Sequence, residues 1–152
     1  PIEEDVKILF RGKTIKEVEA IYNKRFKKRS KNVKLFPQTR MVLENLSKLD
    51  IRLGLISNST KLIVLAILNR YKLRKYFHVI VTMDDVKRRK PAPDMALKAC
   101  RILKVKPKNT ILVGYTKNDM IASKRAGCIA VGYKIKGDYK INRLKSIIKF
   151  IK

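Results

Sequence analysis

Tryptophan is absent from the 152 residues, histidine occurs once, cysteine twice and glycine six times. Each scarcity removes a class of chemistry. His78 stands alone before Val79, Ile80 and Val81, with no partner in the pattern for general-base work, so a structural place at a strand start is expected. Cys100 and Cys128 lie in apolar surroundings without CxxC or metal-ligand spacing. That excludes a zinc ribbon or a thioredoxin-like pair and suits small core residues in a reducing compartment, hence a cytoplasmic location. No apolar run approaches the roughly 20 residues that span a bilayer, and no signal-peptide pattern opens the sequence, so no membrane partner is expected. Acidic residues are the most conspicuous shortage. Twelve Asp and Glu face 38 Lys and Arg, a formal net charge of +26. Such a field draws nucleic acid and other polyanions.

What remains is enough for an ordinary folded domain. The hydrophobic share is 45%, and the length fits one domain with a sizeable core. Thr14 and Glu17 form a capping box, and Ile15, Val18 and Tyr22 recur on one helical face. That helix runs into KRFKKRSK, Lys24 to Lys31. The run is either a solvated helix end or a polyanion patch with Phe26 for stacking.

After the break at Phe36 and Pro37, Val42, Leu43, Leu46 and Leu49 predict a helix. Short apolar runs then predict strands at Ile51 to Ile56, His78 to Thr82, Ile111 to Val113 and Ile129 to Tyr133. Helical patterns alternate with them: Lys61 to about Arg70, then one with Ala96, Ala99, Cys100 and Leu103 inward, then one ended by Gly127. Ile141, Leu144, Ile148 and Ile151 predict a closing amphipathic helix. Strand–helix alternation implies a parallel α/β sheet flanked by helices.

In such sheets ligands gather at the carboxyl ends of the strands. Three loops arrive there. Ser57, Asn58, Ser59 and Thr60 offer hydroxyls and N–H groups before a helix, the makings of a phosphate cradle or simply of a helix cap. Lys90 precedes Pro91 and Pro93, which hold its loop extended and give the lysine a set direction. Asp119 follows Gly114-Tyr115-Thr116, placed either to hold a cation or to cap its own helix.

The order and spacing of these loops resemble the haloacid dehalogenase (HAD) superfamily of phosphatases and related hydrolases. LISNST, with Ser57, looks like the family's second motif, where a hydroxyl bonds the transferring phosphoryl group. KPAPD, with Lys90, looks like the third, whose lysine balances the charge of phosphate and nucleophile. VGYTKNDMIASKRAG looks like the fourth, where acidic residues hold Mg²⁺. The resemblance spans about Pro37 to Tyr133 and implies a HAD-like Rossmannoid core over residues 35–152. Residues 1–34 would be the remnant of a helical cap. Ser57 and Lys90 become candidate catalytic residues, Ser57, Asn58 and Lys90 candidate phosphate ligands, and Asp119 a candidate Mg²⁺ ligand.

Two departures bear on activity. The family's nucleophile is the first aspartate of a DxD motif on an N-terminal strand, which forms an aspartyl-phosphate. No DxD occurs in this sequence. The fourth motif usually reads Gly-Asp where this chain has Gly114-Tyr115, and a phenol with a pKa of ~10 is a poor Mg²⁺ ligand. The expectation is a truncated or degenerate phosphatase-like domain, a pseudoenzyme acting on no phosphorylated small molecule by itself. Without the first strand, those at Ile51 and Ile111 would either pair or leave a slot for a strand-donating partner or an oligomer. The competing expectation is a non-catalytic module that binds nucleic acid or another polyanion through its basic surface.

Overall fold

In the computed structural model the described residues are Thr14, Glu17, Ala20 and 33–151. The chain divides into two compact units, residues 1–34 and 35–152. Within the first, the capping box is formed: the Thr14 N–H donates to Glu17 Oε2 at 2.7 Å, and the Glu17 N–H donates to Thr14 Oγ1 at 3.3 Å. Ile15, Val18, Tyr22 and the basic run 24–31 lie outside the described residues.

The second unit is α/β. Its elements are α1 (Thr39–Leu46), β1 (Gly54–Ser57), α2 (Lys61–Arg70), β2 (Val79–Thr82), α3 (Asp94–Leu103), β3 (Ile111–Gly114), α4 (Lys117–Ala126), β4 (Ile129–Tyr133) and β5 (Tyr139–Ile141). All strand pairings are parallel; β1–β2 and β3–β4 follow from β–α alternation, whereas β4 and β5 are joined by residues 134–138 without a helix. The strands form two sheets, β1–β2 and β3–β4–β5. Ser57 pairs with Thr82, and Gly114 with Gly132, so the strand ends carrying the candidate loops are in register within each sheet. Between β1 and β3 no pairing occurs among the described residues.

Helix α3 packs against residues of both sheets. Met95 and Ala99 pack with Val79 and Val81, while Ala96 and Cys100 pack with Ala126 and Cys128. Ile56 touches both clusters, and Leu112 joins the second. These apolar positions fall on two neighbouring stripes of one helix, which lets a single α3 cover both sheets. On the far side of the three-stranded sheet, Val42 and Leu46 of α1 pack with Val131, Tyr133, Ile141 and Ile147.

Two expectations need correction at the carboxyl end. The predicted closing helix is a 3₁₀ segment, Leu144–Phe150, and Ile141 belongs to β5 instead. Strand β5 was not anticipated, since three residues, Tyr139–Ile141, are too short to show an apolar period. Strand β1 also begins later than the apolar run. Ahead of it, Leu53 and His78 exchange bonds: the Leu53 N–H donates to His78 Nδ1 at 3.1 Å, and the His78 N–H donates to Leu53 O at 2.9 Å. The lone histidine thus has the structural place expected of it. Both cysteines are buried. Burial and the neighbouring Cys100 push the Cys128 thiol up to about 12.

Candidate functional site

Lys90 and Asp119 meet at the carboxyl ends of the strands. Lys90 Nζ donates to Asp119 Oδ1 at 2.7 Å and to the Ile56 carbonyl at 3.4 Å. Both side chains are nearly buried, 11% and 8% exposed, so the pair is poorly screened by water. Asp119 Oδ2 accepts three more bonds: from the Thr116 hydroxyl at 2.7 Å, the Thr116 N–H at 3.0 Å and the Tyr115 N–H at 3.2 Å. Burial alone would raise the Asp119 carboxyl, but the Lys90 ammonium and the Thr116 donors outweigh it and hold the group below the usual carboxylate range. Thr116 and Asp119 also form the capping box of α4, the Asp119 N–H donating to Thr116 Oγ1 at 3.2 Å. Capping and Mg²⁺ binding were the alternatives for Asp119 in the sequence. The structure shows the cap, with the Lys90 ammonium on the other carboxylate oxygen.

Gly114 makes this possible. A Cβ there would lie 2.2 Å from Asp119 Cβ and 2.8 Å from its Cγ. Only a residue without a side chain lets β3 come this close to the carboxylate it serves.

The lysine loop is held from two elements. Asn58 Nδ2 donates to the Lys90 carbonyl and the Lys90 N–H donates to Asn58 Oδ1, both at 2.9 Å. Arg125 of α4 donates to the Pro91 carbonyl at 3.3 Å. Asn58, read from the sequence as a phosphate ligand, therefore has its side chain engaged as a brace on Lys90. That brace links residues 32 apart and leaves no local signal. Ser57 ends β1, half-buried, and its hydroxyl accepts from the Ser59 N–H at 3.1 Å. The N-terminus of α2, the possible phosphate cradle, holds an anion already: the Lys61 N–H donates to Asp84 Oδ2 at 2.7 Å. Tyr115 is 58% exposed.

The haloacid dehalogenase-like hydrolase family model matches residues 2–133. The chain belongs to that family. It is 36% identical over 98 residues to a phosphoglycolate phosphatase of Escherichia coli K12, and 34% over 97 residues to one of Neisseria meningitidis. Those alignments cover 64% of this chain but 39% and 41% of the relatives, so the chain matches about two fifths of their length. A predicted phosphoglycolate phosphatase of Haemophilus somnus superposes with a TM-score of 0.81 at 22% identity, over 99% of this chain and 74% of that one. CbbY of Rhodobacter sphaeroides, solved in complex with phosphate, superposes with a TM-score of 0.80 at 20% identity, over 96% of this chain and 72% of that one. These likenesses establish the HAD-like Rossmannoid fold.

HAD phosphatases generally use Mg²⁺. The residues present do not fit it. Mg²⁺ takes near-octahedral oxygen ligation through one or two carboxylates, phosphate and water. Here Asp119 has one oxygen on an ammonium and the other on three donors. Among the described residues no group of three or more His, Cys, Asp or Glu could hold a metal. What this arrangement can do is present a hydroxyl and a fixed ammonium to an oxyanion.

Proposed function

We propose that this HAD-family chain is a phosphatase-like, phosphate-recognising domain that does not hydrolyse phosphomonoesters by itself. The observation that carries this reading is the Lys90–Asp119 pair at 2.7 Å. Its carboxylate is fully hydrogen-bonded and cannot serve as the nucleophile, and its ammonium is the group suited to a phosphoryl oxygen. In this reading Ser57 Oγ and Lys90 Nζ take the phosphoryl oxygens, and Asn58 keeps the lysine in place. The ligand is a phosphorylated small molecule, a class supported by the phosphoglycolate phosphatases among the relatives. Phosphoryl transfer needs an aligned nucleophile as well as charge neutralisation, and Ser57, Lys90 and Asp119 provide only the second. Among the described residues β1 and β3 each have an unpaired edge, and a partner strand added there would bring the missing carboxylate. A cytoplasmic location agrees with the two free, buried thiols.

The test is turnover of an aryl phosphate with and without Mg²⁺, together with calorimetric titration of inorganic phosphate. No turnover is expected, with phosphate binding that Lys90→Ala abolishes and Mg²⁺ does not alter. Mg²⁺-dependent turnover by this chain would overturn the reading.

A second reading, a polyanion-binding module, has its own observation. Between residues 33 and 151 there are 27 Lys and Arg against seven Asp and Glu. Six of the seven acids are engaged in internal hydrogen bonds: Glu44, Asp84, Asp85, Asp94, Asp119 and Asp138. Little negative charge is left to compensate the surface. This reading expects affinity for a nucleic acid that falls steeply with salt, and binding insensitive to salt counts against it.

A further inference from the structure

Phe36 and Tyr115 are 44% and 58% exposed, unusual for large rings on so charged a surface. They stand edge to face, with centroids 5.3 Å apart and planes at 69°. On its other side Phe36 lies 5.1 Å from the ring of Tyr133, which is buried, and the Lys134 ammonium sits 5.5 Å from that ring's centroid. The row is therefore anchored at one end and open at the other. Tyr115 is also fixed at its backbone, because its N–H bonds the buried Asp119 carboxylate.

Two residues beyond Tyr115, Lys117 opens α4 and lines a cleft of about 300 Å³. Lys124 and Lys136 line the same cleft over Met120 and Ile121. Its one carboxylate, Asp138, is turned to the backbone, accepting from the Ala130 N–H at 2.8 Å. The aromatic platform is thus tied, through the two-residue step from Tyr115 to Lys117, to a cleft with three ammonium groups. Cations alone select any polyanion, but exposed π-faces beside them select one whose bases are unpaired and free to stack.

The geometry points to a single-stranded nucleic acid as the ligand of this surface. A base stacks on Tyr115, which Phe36 backs, and the neighbouring phosphates lie along Lys117, Lys124 and Lys136. The inference rests on the polyanion reading above and names its site and partner.

The experiment is fluorescence anisotropy with labelled oligothymidylate and the full 152-residue chain, with inorganic polyphosphate measured in parallel as a ligand without bases. Tyr115→Ala is expected to weaken oligothymidylate roughly tenfold while leaving polyphosphate unchanged, and Tyr115→Phe to bind both normally. Lys117→Ala is expected to weaken both ligands and lower the salt slope by about one. Because Tyr115 is exposed, these variants keep the fold, which circular dichroism checks. Equal losses for both ligands in Tyr115→Ala, or none, overturn the inference. If the chain binds polyphosphate but not oligothymidylate, the stacking site falls and the polyanion reading stands. If it binds neither, both fall.

Discussion

At the residue scale the molecule turns on a single ion pair. Lys90 and Asp119 are desolvated together, and each is tolerable only because the other is present. Lys90→Met would leave Asp119 charged and buried beside its three remaining donors. We expect a loss of about 3 kcal/mol in urea unfolding, with most of it recovered when Asp119→Asn is added. A single-variant cost near zero would show that solvent already neutralises the carboxylate. The sign of the pH dependence follows from the lowered pKa. A carboxyl whose folded pKa lies below its ordinary value of 3.8 contributes stability that is complete above that value. The contribution is lost as pH falls through the folded value. Asp85 behaves alike: burial raises its carboxyl, but the Thr82 N–H and hydroxyl, with Lys61 and Lys98, bring it below the usual range. Unfolding free energy measured between about pH 5 and 2 is thus expected to drop, and Asp119→Asn to flatten the drop. An unchanged acid limb in that variant would exclude Asp119 as its source.

At the element scale the capping of α4 is tied to the site. Thr116 holds the helix end and also donates to Asp119 Oδ2, so one hydroxyl serves both stability and charge. Thr116→Ala is expected to cost about 1 kcal/mol in thermal unfolding, and Thr116→Ser much less. Equal effects of the two would mean that the methyl group, not the hydroxyl, matters there. Helix α3 is the other decisive element. It begins under the Arg88–Asp94 pair, whose two nitrogen–oxygen contacts measure 3.0 and 3.1 Å, and it ends where Lys104 turns left-handed at φ 55°. Between those ends its apolar positions hold two sheets that do not pair with each other. Ala96, Ala99 and Cys100 among those positions were legible from helical spacing, but the fully buried Met95 was not expected. Their division between two sheets was not legible, because spacing shows which residues face inward and not what they face.

At the scale of the whole molecule, charge is the dominant variable. A net +26 destabilises a compact state through self-repulsion, and engaging nearly every described carboxylate in caps and loop ties leaves that repulsion uncompensated. The melting temperature is accordingly expected to rise as salt is raised from low to moderate concentration, and to rise further with polyphosphate. A fall with salt would mean that surface ion pairs outweigh repulsion. Among the described residues no helix is long and apolar enough to cross a membrane.

The amino-acid sequence by itself determined the class and order of most elements, because strand and helix periods are local properties of the chain. It also determined which three loops meet at the strand ends, since parallel topology sends every such loop to one side. Gly-Tyr in place of Gly-Asp was legible there too, and with it the lack of a second carboxylate. Only the tertiary structure decided that Lys90 binds Asp119, that Asn58 braces the lysine loop, and that Tyr115 joins Phe36 at the surface. Those contacts link residues 29 and 32 positions apart in the first two cases. They depend on where α3 and the two sheets set the loops, and a distance across the fold leaves no period in the sequence.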